Sequence, residues 1–409
     1  MTEVKPADST RHLRVLTYSH DGYGIGHLRR NLRLSTRLVE RFPDASILAA
    51  TGSRIAHYFE FPENVDYLKL PSVTKLANER YVADGLRLGS GEVSALRSGI
   101  LESAVRLFAP DVVLVDRYPL GVDSELVAAL DALRARRPDA TVILGLRDIL
   151  DNPEVVREEW RRKGHHRAIA ERYDRVLIYG DPRVYDAVAE YQLPDSVADK
   201  VTFTGFLTDP PGRERPDGSA LPWPSPDRRR AVCTVGGGKD AAHVAWAFLG
   251  ALETMGHEWK GLLVAGPFLG EDELVPLTAY ARRLDVAVRR FIPDLPAQLA
   301  SADVVVSMAG YNTMCELLAA AVPAVVIPRI RPRVEQLIRA SRFAERGAVA
   351  MLHPDRLTPS TLRAALLRRS AVPRAEIRAA VGAGFDLSGL DGAANAVTEA
   401  LSYRPALAS

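Results

Sequence analysis

A histidine with catalytic potential follows a glycine-rich loop near the start of the chain. Residues 19–27 read SHDGYGIGH, and the loop glycines are Gly22, Gly24 and Gly26. Glycine lets the backbone turn sharply and approach a ligand closely. A helix expected from about Leu28 would place its N-terminus, which favours negative charge, beside this loop. His27 therefore fits a general base, while a histidine that only caps the helix or contacts the loop remains the alternative.

Other polar residues stand where apolar runs of the first half end. Asp116 closes the run VVLVD, and Arg147 and Asp148 close the run VILGLRD. Open α/β sheets place reactive groups at the carboxyl ends of their strands. Asp116 is a candidate to orient and polarise His27, with a carboxylate that merely caps a loop as the alternative. Gly24, Gly26, His20, Arg147 and Asp148 are further candidates for contacts with a ligand or with the loop.

A second candidate site joins a strand, a glycine turn and a helix. Residues 304–316 read VVVSMAGYNTMCE. Gly310 occupies the turn, and Asn312 and Thr313 stand in the first helical turn, where main-chain N–H groups can hold a phosphate. Glu316, on the same helix face, can accept two hydrogen bonds from a ribose diol. Thr313 and Glu316 also have the spacing of a capping box, which needs no ligand, so both interpretations stay open.

A third motif, TVGGGKD at residues 234–240, resembles a phosphate-binding turn. It lacks the P-loop pattern, because no glycine has the required spacing and Asp240 stands where a magnesium-binding Ser or Thr belongs. Gly236 to Gly238 either cradle a diphosphate or make a tight turn between a strand and a helix.

A fourth motif is the arginine-rich loop IPRIRPRVEQ at residues 327–336. Arg329 and Arg333 are candidates for phosphate contacts, with a solvated basic loop as the alternative. Gln336 follows a strand end and precedes a helix, so it is expected at the same cleft edge.

Neither a metal nor a cofactor is predicted. The sequence contains no Asp-x-Asp and no cluster of His, Cys and Asp at metal-ligand spacing. The first glycine loop does not have the G-x-G-x-x-G spacing of dinucleotide-binding proteins. No acidic residue stands in the AATG segment at residues 49–52, where such a protein would hold the ribose, so a nicotinamide dehydrogenase is poorly supported.

The elements that must position these residues are short apolar runs separated by amphipathic segments. The runs are nearly continuous rather than alternating, which is typical of parallel strands covered on both faces. Repeated strand–helix units predict the α/β class, with two Rossmann-like doubly wound domains facing a cleft. The predicted strands are residues 13–19, 45–50, 112–115, 141–146, 176–179, 201–206, 231–235, 261–265, 286–291, 304–307, 324–327 and 348–352.

A proline-rich stretch divides the chain into two halves. Six prolines and two glycines fall between Asp209 and Asp227, which is typical of a linker or an exposed loop. The predicted organisation is a flexible N-terminus (1–12), a first domain (13–208), a linker (209–228), a second domain (229–375) and a helical tail (376–409).

Composition favours a globular protein without a nucleic-acid partner. The 409 residues are 47% hydrophobic and 25% charged, and 53 basic against 51 acidic residues give a net charge of +2. Cys233 and Cys315 lie in apolar surroundings, as buried free thiols of a reduced compartment do. We expect a cytoplasmic protein without a secretory signal or transmembrane segment, which leaves contact with a membrane surface open.

Together these motifs resemble the MurG-type branch of the GT-B glycosyltransferases. The best matching stretches are GIGH at residues 24–27, GGGKD at 236–240 and, most specific, AGYNTMCELLAAAVP at 309–323 followed by Glu335 and Gln336. The order and spacing extend from the first strand to about Leu367. The chain does not look like a close copy of the cell-wall enzyme, because its acceptor-side loops at 116–121 and 147–152 differ.

The resemblance implies that the second half holds a nucleotide sugar and the first half binds the acceptor. It implies that Glu316 grips the ribose and that Gln336 reaches the donor sugar. The residues expected at the diphosphate are Gly237, Gly238, Gly310, Asn312 and Thr313. Two departures from the family are Met308, where many relatives carry a His or Arg, and Val322, where a helix-ending Gly is usual.

The predicted function is metal-independent, inverting transfer of a sugar from a nucleotide diphosphate donor, with a UDP-sugar favoured. His27 would be the base, and helix N-termini after Gly310 and Gly238 would stabilise the leaving diphosphate. The acceptor is an unidentified small molecule or lipid-linked compound, such as a secondary metabolite or a glycolipid. The alternatives are a nucleotide-sugar hydrolase or 2-epimerase of the same fold, and a non-catalytic nucleotide-sugar-binding protein.

Overall fold

The computed structural model describes residues 12–20, 26–75, 81–209, 227–238 and 240–402, and two parallel β-sheets organise this part of the chain. The strands of the first half are β1 (Arg14–Ser19), β2 (Ser46–Thr51), β3 (Val65–Lys69), β4 (Val73–Lys75), β5 (Tyr81–Ala83), β6 (Val112–Asp116), β7 (Thr141–Arg147), β8 (Arg175–Tyr179) and β9 (Val201–Phe203). The strands of the second half are β10 (Arg229–Thr234), β11 (Trp259–Val264), β12 (Ala287–Arg289), β13 (Val304–Ser307), β14 (Ala324–Val326) and β15 (Ala350–Met351).

Helices connect the strands in both halves. Those of the first half are α1 (Gly26–Arg41), α2 (Ser90–Phe108), α3 (Val127–Arg136), α4 (Pro153–Arg162), α5 (His165–Arg172), α6 (Ala187–Tyr191) and α7 (Asp195–Ala198). Those of the second half are α8 (Ala242–Met255), α9 (Glu271–Arg283), α10 (Leu295–Ser301), α11 (Tyr311–Ala320), α12 (Glu335–Glu345), α13 (Pro359–Ser370), α14 (Arg374–Gly384) and α15 (Gly389–Ser402).

Each sheet reverses its strand order at one point, and these two points determine where ligands bind. The first sheet has the order β3-β2-β1-β6-β7-β8-β9, so the reversal lies between β1 and β6. The second has the order β12-β11-β10-β13-β14-β15, with the reversal between β10 and β13. Ligands of open α/β sheets bind beyond the carboxyl ends of the strands at such a reversal. The loops after β1, β6, β10 and β13 are therefore the ones that matter for function.

The central strands form because their sequences are apolar throughout. All five residues of β6 are buried, as are the four residues of β13. Such strands can only be covered on both faces, which is what the flanking helices provide. The twelve strands predicted from apolar runs all correspond to strands of the two sheets, with ends that differ by up to three residues.

Three short strands were not predicted, and their sequences explain why. Strand β3, at the edge of the first sheet, buries only its first residue, Val65. Strands β4 and β5 form a separate antiparallel hairpin. Edge strands and small hairpins lack a continuous apolar run, so the pattern that reveals the central strands does not reveal them.

The two halves pack together through aromatic side chains and through the last helix. The ring centroids of Phe206 and Phe343 lie 5.3 Å apart, and those of Phe343 and Phe385 lie 4.7 Å apart. Helix α15 returns to the first half, where Asp391 forms an ion pair with Arg37 of α1. The chain therefore crosses between the halves twice, and the cleft between the sheets has walls from both. The predicted domain boundaries remain predictions, and residues 210–226 of the expected linker lie outside the described residues.

Candidate active site

A histidine, an aspartate and an arginine meet at the carboxyl edge of the first sheet. Nδ1 of His27 lies 2.5 Å from Oδ2 of Asp116, the last residue of β6. Nη2 of Arg30 donates to both oxygens of Asp116 at 2.7 Å and lies 3.0 Å from Nδ1 of His27. Because a carboxylate only accepts, the Nδ1–Oδ2 contact is a hydrogen bond donated by the imidazole, and the approach of Arg30 to the same nitrogen is then not a hydrogen bond. Nε2 is then the ring nitrogen that can take up a proton.

His27 occupies the first turn of α1 rather than the loop before it. The helix begins at Gly26, two residues earlier than expected, so the helical backbone fixes the position of the histidine. The predicted contact Gly24 lies outside the described residues. Gly26 is described, and its carbonyl oxygen accepts a hydrogen bond from across the cleft.

Asp116 is ionised although it is buried. Its side chain is 1% exposed. Burial raises the pKa of this carboxyl group, but the charges of Arg30 and His27 outweigh burial and hold the pKa well below its usual range. An ionised carboxylate beside Nδ1 fixes the tautomer of His27 and stabilises the imidazolium that forms when Nε2 accepts a proton. The side chain of His27 is 13% exposed, which gives it access to the cleft.

His20 packs behind His27 and is uncharged. Their ring centroids are 4.4 Å apart, and the ring of Tyr118 lies 4.9 Å from that of His20. Burial, followed by the neighbouring His27 and Arg117, lowers the pKa of His20 well below its ordinary value. A buried neutral ring supports the position of His27, and a direct substrate contact by His20 stays a prediction.

The facing wall of the cleft is the N-terminus of α11. The helix begins at Tyr311 after the N-cap Gly310, which offers no side-chain cap to the first N–H groups. A Cβ at Gly310 would meet nothing within 4 Å, so the space in front of this N-terminus is open. The capping-box interpretation of Thr313 and Glu316 is wrong, because Thr313 lies three residues inside the helix instead of at its N-cap.

Two side chains of α11 contact α1 across the cleft. Nδ2 of Asn312 donates to the carbonyl oxygen of Gly26 at 2.9 Å. Nη2 of Arg29 lies 2.5 Å from Oε1 of Glu316. The second oxygen of Glu316 is buried and has no hydrogen-bond partner among the described residues. Glu316 therefore keeps capacity for a further donor, and a ribose hydroxyl group can supply one.

A cavity of about 470 Å³ lies between the walls. Its second-half lining includes the predicted donor residues Gly237, Gly238, Gly310, Thr313, Arg329 and Gln336. Met308 also lines it and contributes an apolar thioether. The first half closes the other side with Gly52, Ser53 and the segment 72–74. The cavity is large enough for a small polar ligand and opens on glycine backbone.

The turn after β10 requires glycine for structural reasons. Gly238 has a left-handed backbone with φ 88°, and a Cβ there would overlap the carbonyl oxygen of Ala265. Gly237 accepts a hydrogen bond from the N–H of Phe268 at 2.9 Å. Helix α8 begins only at Ala242, so the turn and the helix N-terminus are separated. The tight turn is thus present, and a diphosphate contact at this turn stays a prediction.

The arginine loop makes ion pairs. Nη2 of Arg329 lies 2.9 Å from Oε1 of Glu335, and its backbone N–H donates to Oε1 of Gln336 at 3.0 Å. Arg333 reaches the first half, where it lies 3.7 Å from Asp151 and 3.6 Å from Glu159. These contacts favour a structural role for Arg333, while Arg329 borders the cavity.

Asp148 and Arg147 have different environments although they are adjacent. Asp148 accepts two hydrogen bonds from Arg339 of α12, at 2.8 Å from Nε and 2.6 Å from Nη2. This buried pair ties the first half to the second. Arg147 has no ion pair within the described residues, and its Nε is buried without a hydrogen-bond partner.

Several site residues were missed by sequence reasoning. Arg30 lies three residues after His27, and this spacing on one helix face could have revealed it. Arg29 and Arg339 act through contacts with Glu316 and Asp148 that are 287 and 191 residues away along the chain, so no local pattern announces them.

The described residues contain no group of three His, Cys, Asp or Glu side chains arranged to hold a metal ion. Among the same residues, no helix combines the length and the apolar character needed to cross a bilayer. Cys233 and Cys315 are buried free thiols, as predicted.

Comparison with solved structures defines the fold as GT-B. The glycotransferase of kitacinnamycin superposes with a TM-score of 0.62 at 19% identity, covering 95% of this chain and 99% of that one. MurG of Acinetobacter baumannii superposes with a TM-score of 0.56 at 14% identity, again covering 95% and 99%. The predicted architecture, two Rossmann-like doubly wound domains facing a cleft, is confirmed.

Sequence comparison places a known domain in the second half. Residues 262–381 match the glycosyltransferase family 28 C-terminal domain. UDP-N-acetylglucosamine–N-acetylmuramyl-(pentapeptide) pyrophosphoryl-undecaprenol N-acetylglucosamine transferases are similar to this chain. The Rhodopseudomonas palustris protein is 29% identical over 43% of this chain and 48% of its own length. The Bacillus thuringiensis protein (strain Al Hakam) is 30% identical over 51% of this chain and 56% of its own length.

The matches to these curated relatives span about half of their length. The resemblance to the MurG-type branch is confirmed, and the matched family domain contains Gly310, Asn312, Thr313 and Glu316. The His27 cluster lies outside the matched family domain.

Proposed function

We propose that this protein is a glycosyltransferase that moves a sugar from a nucleotide diphosphate donor, with a UDP-sugar favoured, to a hydroxyl group of an acceptor. The observation that carries the proposal is the position of the His27–Asp116–Arg30 cluster. It faces the open N-terminus of α11 across a cleft, and Asn312 and Gly26 join the two walls directly. The family 28 domain and the GT-B fold support the same assignment.

The proposed reaction is a direct displacement. Nε2 of His27 takes the proton of the acceptor hydroxyl, the acceptor oxygen bonds to the anomeric carbon, and the bond from that carbon to the diphosphate breaks. Attack from the face opposite the leaving group inverts the anomeric centre. Asp116 stabilises the imidazolium, as its low pKa and its contact with Nδ1 support.

The donor is proposed to bind mainly through the second wall. Glu316 would accept hydrogen bonds from the ribose, Gln336 would reach the sugar, and the N–H groups after Gly310 would hold the diphosphate. A helix N-terminus can stabilise the departing negative charge, so the proposal includes metal independence. The relatives that are named as UDP-N-acetylglucosamine transferases support UDP as the nucleotide.

The acceptor is proposed to be a small molecule or a lipid-linked compound. The curated relatives act on a pyrophosphoryl-undecaprenol compound by name, and the kitacinnamycin protein is named for a small molecule. The buried free thiols support a reduced compartment, consistent with a cytoplasmic enzyme that could still touch a membrane surface.

Nucleotide binding tests the donor site. The melting temperature of the full chain is measured with UDP, TDP, GDP, ADP and NAD in the presence of EDTA. A ligand at a hundred times its Kd stabilises the folded state by about 2.7 kcal/mol. We expect UDP to stabilise the wild type and to lose this effect in Glu316→Ala. The matched control is Glu345→Ala, whose side chain is exposed on α12.

Stabilisation by NAD alone, or by none of the nucleotides, would overturn the proposal. Release of free sugar from the donor at the same rate with and without any acceptor would instead indicate a hydrolase. Both measurements use the same purified protein. Its melting curve shows whether the preparation is folded, so a negative result from misfolded protein is recognised.

A further inference from the structure

Two arginines stand at the carboxyl edge of the first sheet, next to the proposed base. Arg117 directly follows Asp116, and Arg147 ends the neighbouring strand β7. The N–H of Arg117 donates to the carbonyl oxygen of Gly145 at 2.8 Å, which ties its backbone to β7. Arg117 also has a left-handed backbone, with φ 73°, an uncommon conformation for a side chain of this size. Such outliers persist where the surrounding structure holds them in place.

The other arginines around them are neutralised by carboxylates. Arg30 pairs with Asp116, Arg339 with Asp148, and Arg329 with Glu335. Within the described residues, neither Arg117 nor Arg147 forms an ion pair, and Nε of Arg147 is buried without a partner. The carboxylate of Glu335 lies near enough for its charge to act on both arginines, but it already pairs with Arg329, so arginines outnumber carboxylates at this edge.

The charge is unfavourable at Arg147, whereas at Arg117 the neighbouring Tyr118 and Glu335 outweigh burial and raise the pKa of the guanidinium. Burial, and then the nearby charge of Arg117, lower the pKa of Arg147 to about 9. The guanidinium of Arg147 stays protonated at neutral pH, so deprotonation does not remove its repulsion with Arg117. A bound carboxylate or phosphate would supply the missing counter-charge and accept paired hydrogen bonds from the guanidinium groups.

A chain of ring contacts connects Arg117 to the base. The guanidinium carbon of Arg117 lies 5.0 Å from the ring centroid of Tyr118. Tyr118 contacts the ring of His20, which in turn contacts His27. Only two rings therefore separate the arginine from the group that would take the acceptor proton.

A polar cavity adjoins the same site. Its volume is about 580 Å³, and serines of α2 line it together with Asp123 and Tyr81. Tyr81 forms a hydrogen bond with Tyr118, the residue over which Arg117 lies. The hydroxyl groups suit a polar molecule better than a hydrocarbon chain, whereas the carboxylates of Asp123 and Glu125 would repel an anionic group, which leaves the two arginines as its place.

We propose that the acceptor is a polar molecule with an anionic group, a carboxylate or a phosphate, and that Arg117 and Arg147 bind this group so that a hydroxyl of the acceptor meets His27. This inference rests on the proposed function, because it assigns the first wall to the acceptor. The donor diphosphate has its own place at Gly310 and the glycine turn, beside a cavity that neither arginine lines.

Anion titration tests the inference. Inorganic phosphate and, separately, acetate are titrated calorimetrically into the full chain, without nucleotide and with saturating UDP. We expect the UDP-bound wild type to bind one of the two anions, and the preferred anion distinguishes a phosphate from a carboxylate group. Arg117→Gln and Arg147→Gln should each weaken this binding by about tenfold or more. Arg147→Lys should restore part of it.

Controls separate loss of the site from loss of the fold. Arg282→Gln removes one exposed positive charge from α9 and should bind the anion as the wild type does. Melting curves show whether each variant is folded, and UDP affinity should be unchanged in both glutamine variants.

Four results would overturn the inference. They are no anion binding by the wild type, equal binding by the glutamine variants, competition between UDP and the anion, and weaker UDP binding in Arg147→Gln. The last two would assign the arginines to the donor diphosphate. UDP could fail to bind while phosphate binding still depends on Arg147. That result would contradict both the proposed function and the acceptor role of the arginines, and it would show only that the protein has an anion site.

Discussion

Two of the buried arginine–carboxylate clusters in the first half of the molecule differ in access, because only one of them reaches the cleft. In the closed cluster, Arg97 donates from Nε at 2.5 Å and from Nη2 at 2.7 Å to the two oxygens of Glu125. The hydroxyl of Tyr18 also donates to Glu125, and Nη1 of Arg97 donates to the carbonyl oxygen of Pro71 at 2.6 Å. Both charged side chains are fully buried.

In the open cluster, Arg30 holds Asp116 in a similar way, but the third member is a titratable ring. His27 shares the carboxylate and is partly exposed. The closed cluster consists of groups that are fully buried and bonded to one another. The open cluster includes an imidazole that is partly exposed and can titrate. A similar arginine–carboxylate pair therefore lies within the fold in one place and beside the proposed base in the other.

The largest difference between the clusters should appear in the rate of catalysis. His27→Gln removes the base and should lower the rate of sugar transfer by about 10²–10⁴-fold, with little change in melting temperature. Initial rates at saturating donor measure this effect. The matched control is His57→Gln, at an exposed position of the same half, which should transfer at the wild-type rate. Equal rates for the wild type and His27→Gln would contradict the role of the open cluster.

The closed cluster should instead control stability. Glu125→Gln leaves Arg97 buried without its counter-charge, and breaking a buried pair costs about 3–5 kcal/mol. Urea unfolding should show this loss, while the protein that remains folded transfers at the normal rate. Glu102→Gln breaks an exposed pair with Arg106 and should cost less than about 1 kcal/mol. Equal stability of Glu125→Gln and Glu102→Gln would contradict the structural role assigned to the closed cluster.

The buried ring of His20, next to the open cluster, should make stability depend on pH. His20 is buried and its pKa is well below the ordinary value, whereas the unfolded chain takes up this proton near pH 6.5. The unfolded state therefore binds more protons below pH 6.5, and stability should fall there by up to about 1.4 kcal/mol per pH unit. His20→Gln should reduce this slope in unfolding experiments between pH 7 and 5.

His165 provides the control for that slope. Burial lowers its pKa to about 4, so its neutral form also favours the folded state above that value. His165→Gln should reduce the slope in the same direction, and the double variant should reduce it further. If the unfolding free energy of His20→Gln depended on pH as that of the wild type does, His20 would not be the source of the pH dependence.

The smallest effect concerns the arginine beside Arg30. Nη2 of Arg29 lies 2.5 Å from Oε1 of Glu316, the residue proposed to hold the ribose, and forms an ion pair with it. Arg29→Ala should free this carboxylate and tighten UDP binding by up to about fivefold, since partly exposed ion pairs contribute little. Arg33→Ala, on the same helix and paired with Asp209, is the matched control. Weaker UDP binding in Arg29→Ala would indicate that Arg29 contacts the donor itself.

The sequence predicted the central fold because buried parallel strands are apolar along their whole length. Strands such as β6 and β13 are recognisable from their sequences, and their ends place Asp116 and Gly310 at the cleft. Edge strand β3 has the sequence VDYLK, in which charged residues interrupt the apolar ones, so it gives no comparable signal. The start of α1 was placed two residues late because the glycine loop hides the helix boundary.

The site was predicted only where its residues follow strand ends. The contact between His27 and Asp116 could be anticipated because β1 and β6 are neighbours in doubly wound sheets. The pairs Arg29–Glu316 and Arg339–Asp148 depend on how the two halves meet. That geometry is set by side-chain packing between the halves, which no local pattern records.

Nucleotide release is the measurement that tests the central claim most directly. UDP liberated from UDP-N-acetylglucosamine and other UDP-sugars is followed for the wild type and His27→Gln, with and without a set of hydroxyl-bearing acceptors, some carrying phosphate or carboxylate groups. The account predicts acceptor-dependent release by the wild type, and a loss of about 10² or more in His27→Gln with UDP affinity unchanged. Release at the same rate by both proteins, or no binding of UDP to either, would contradict it.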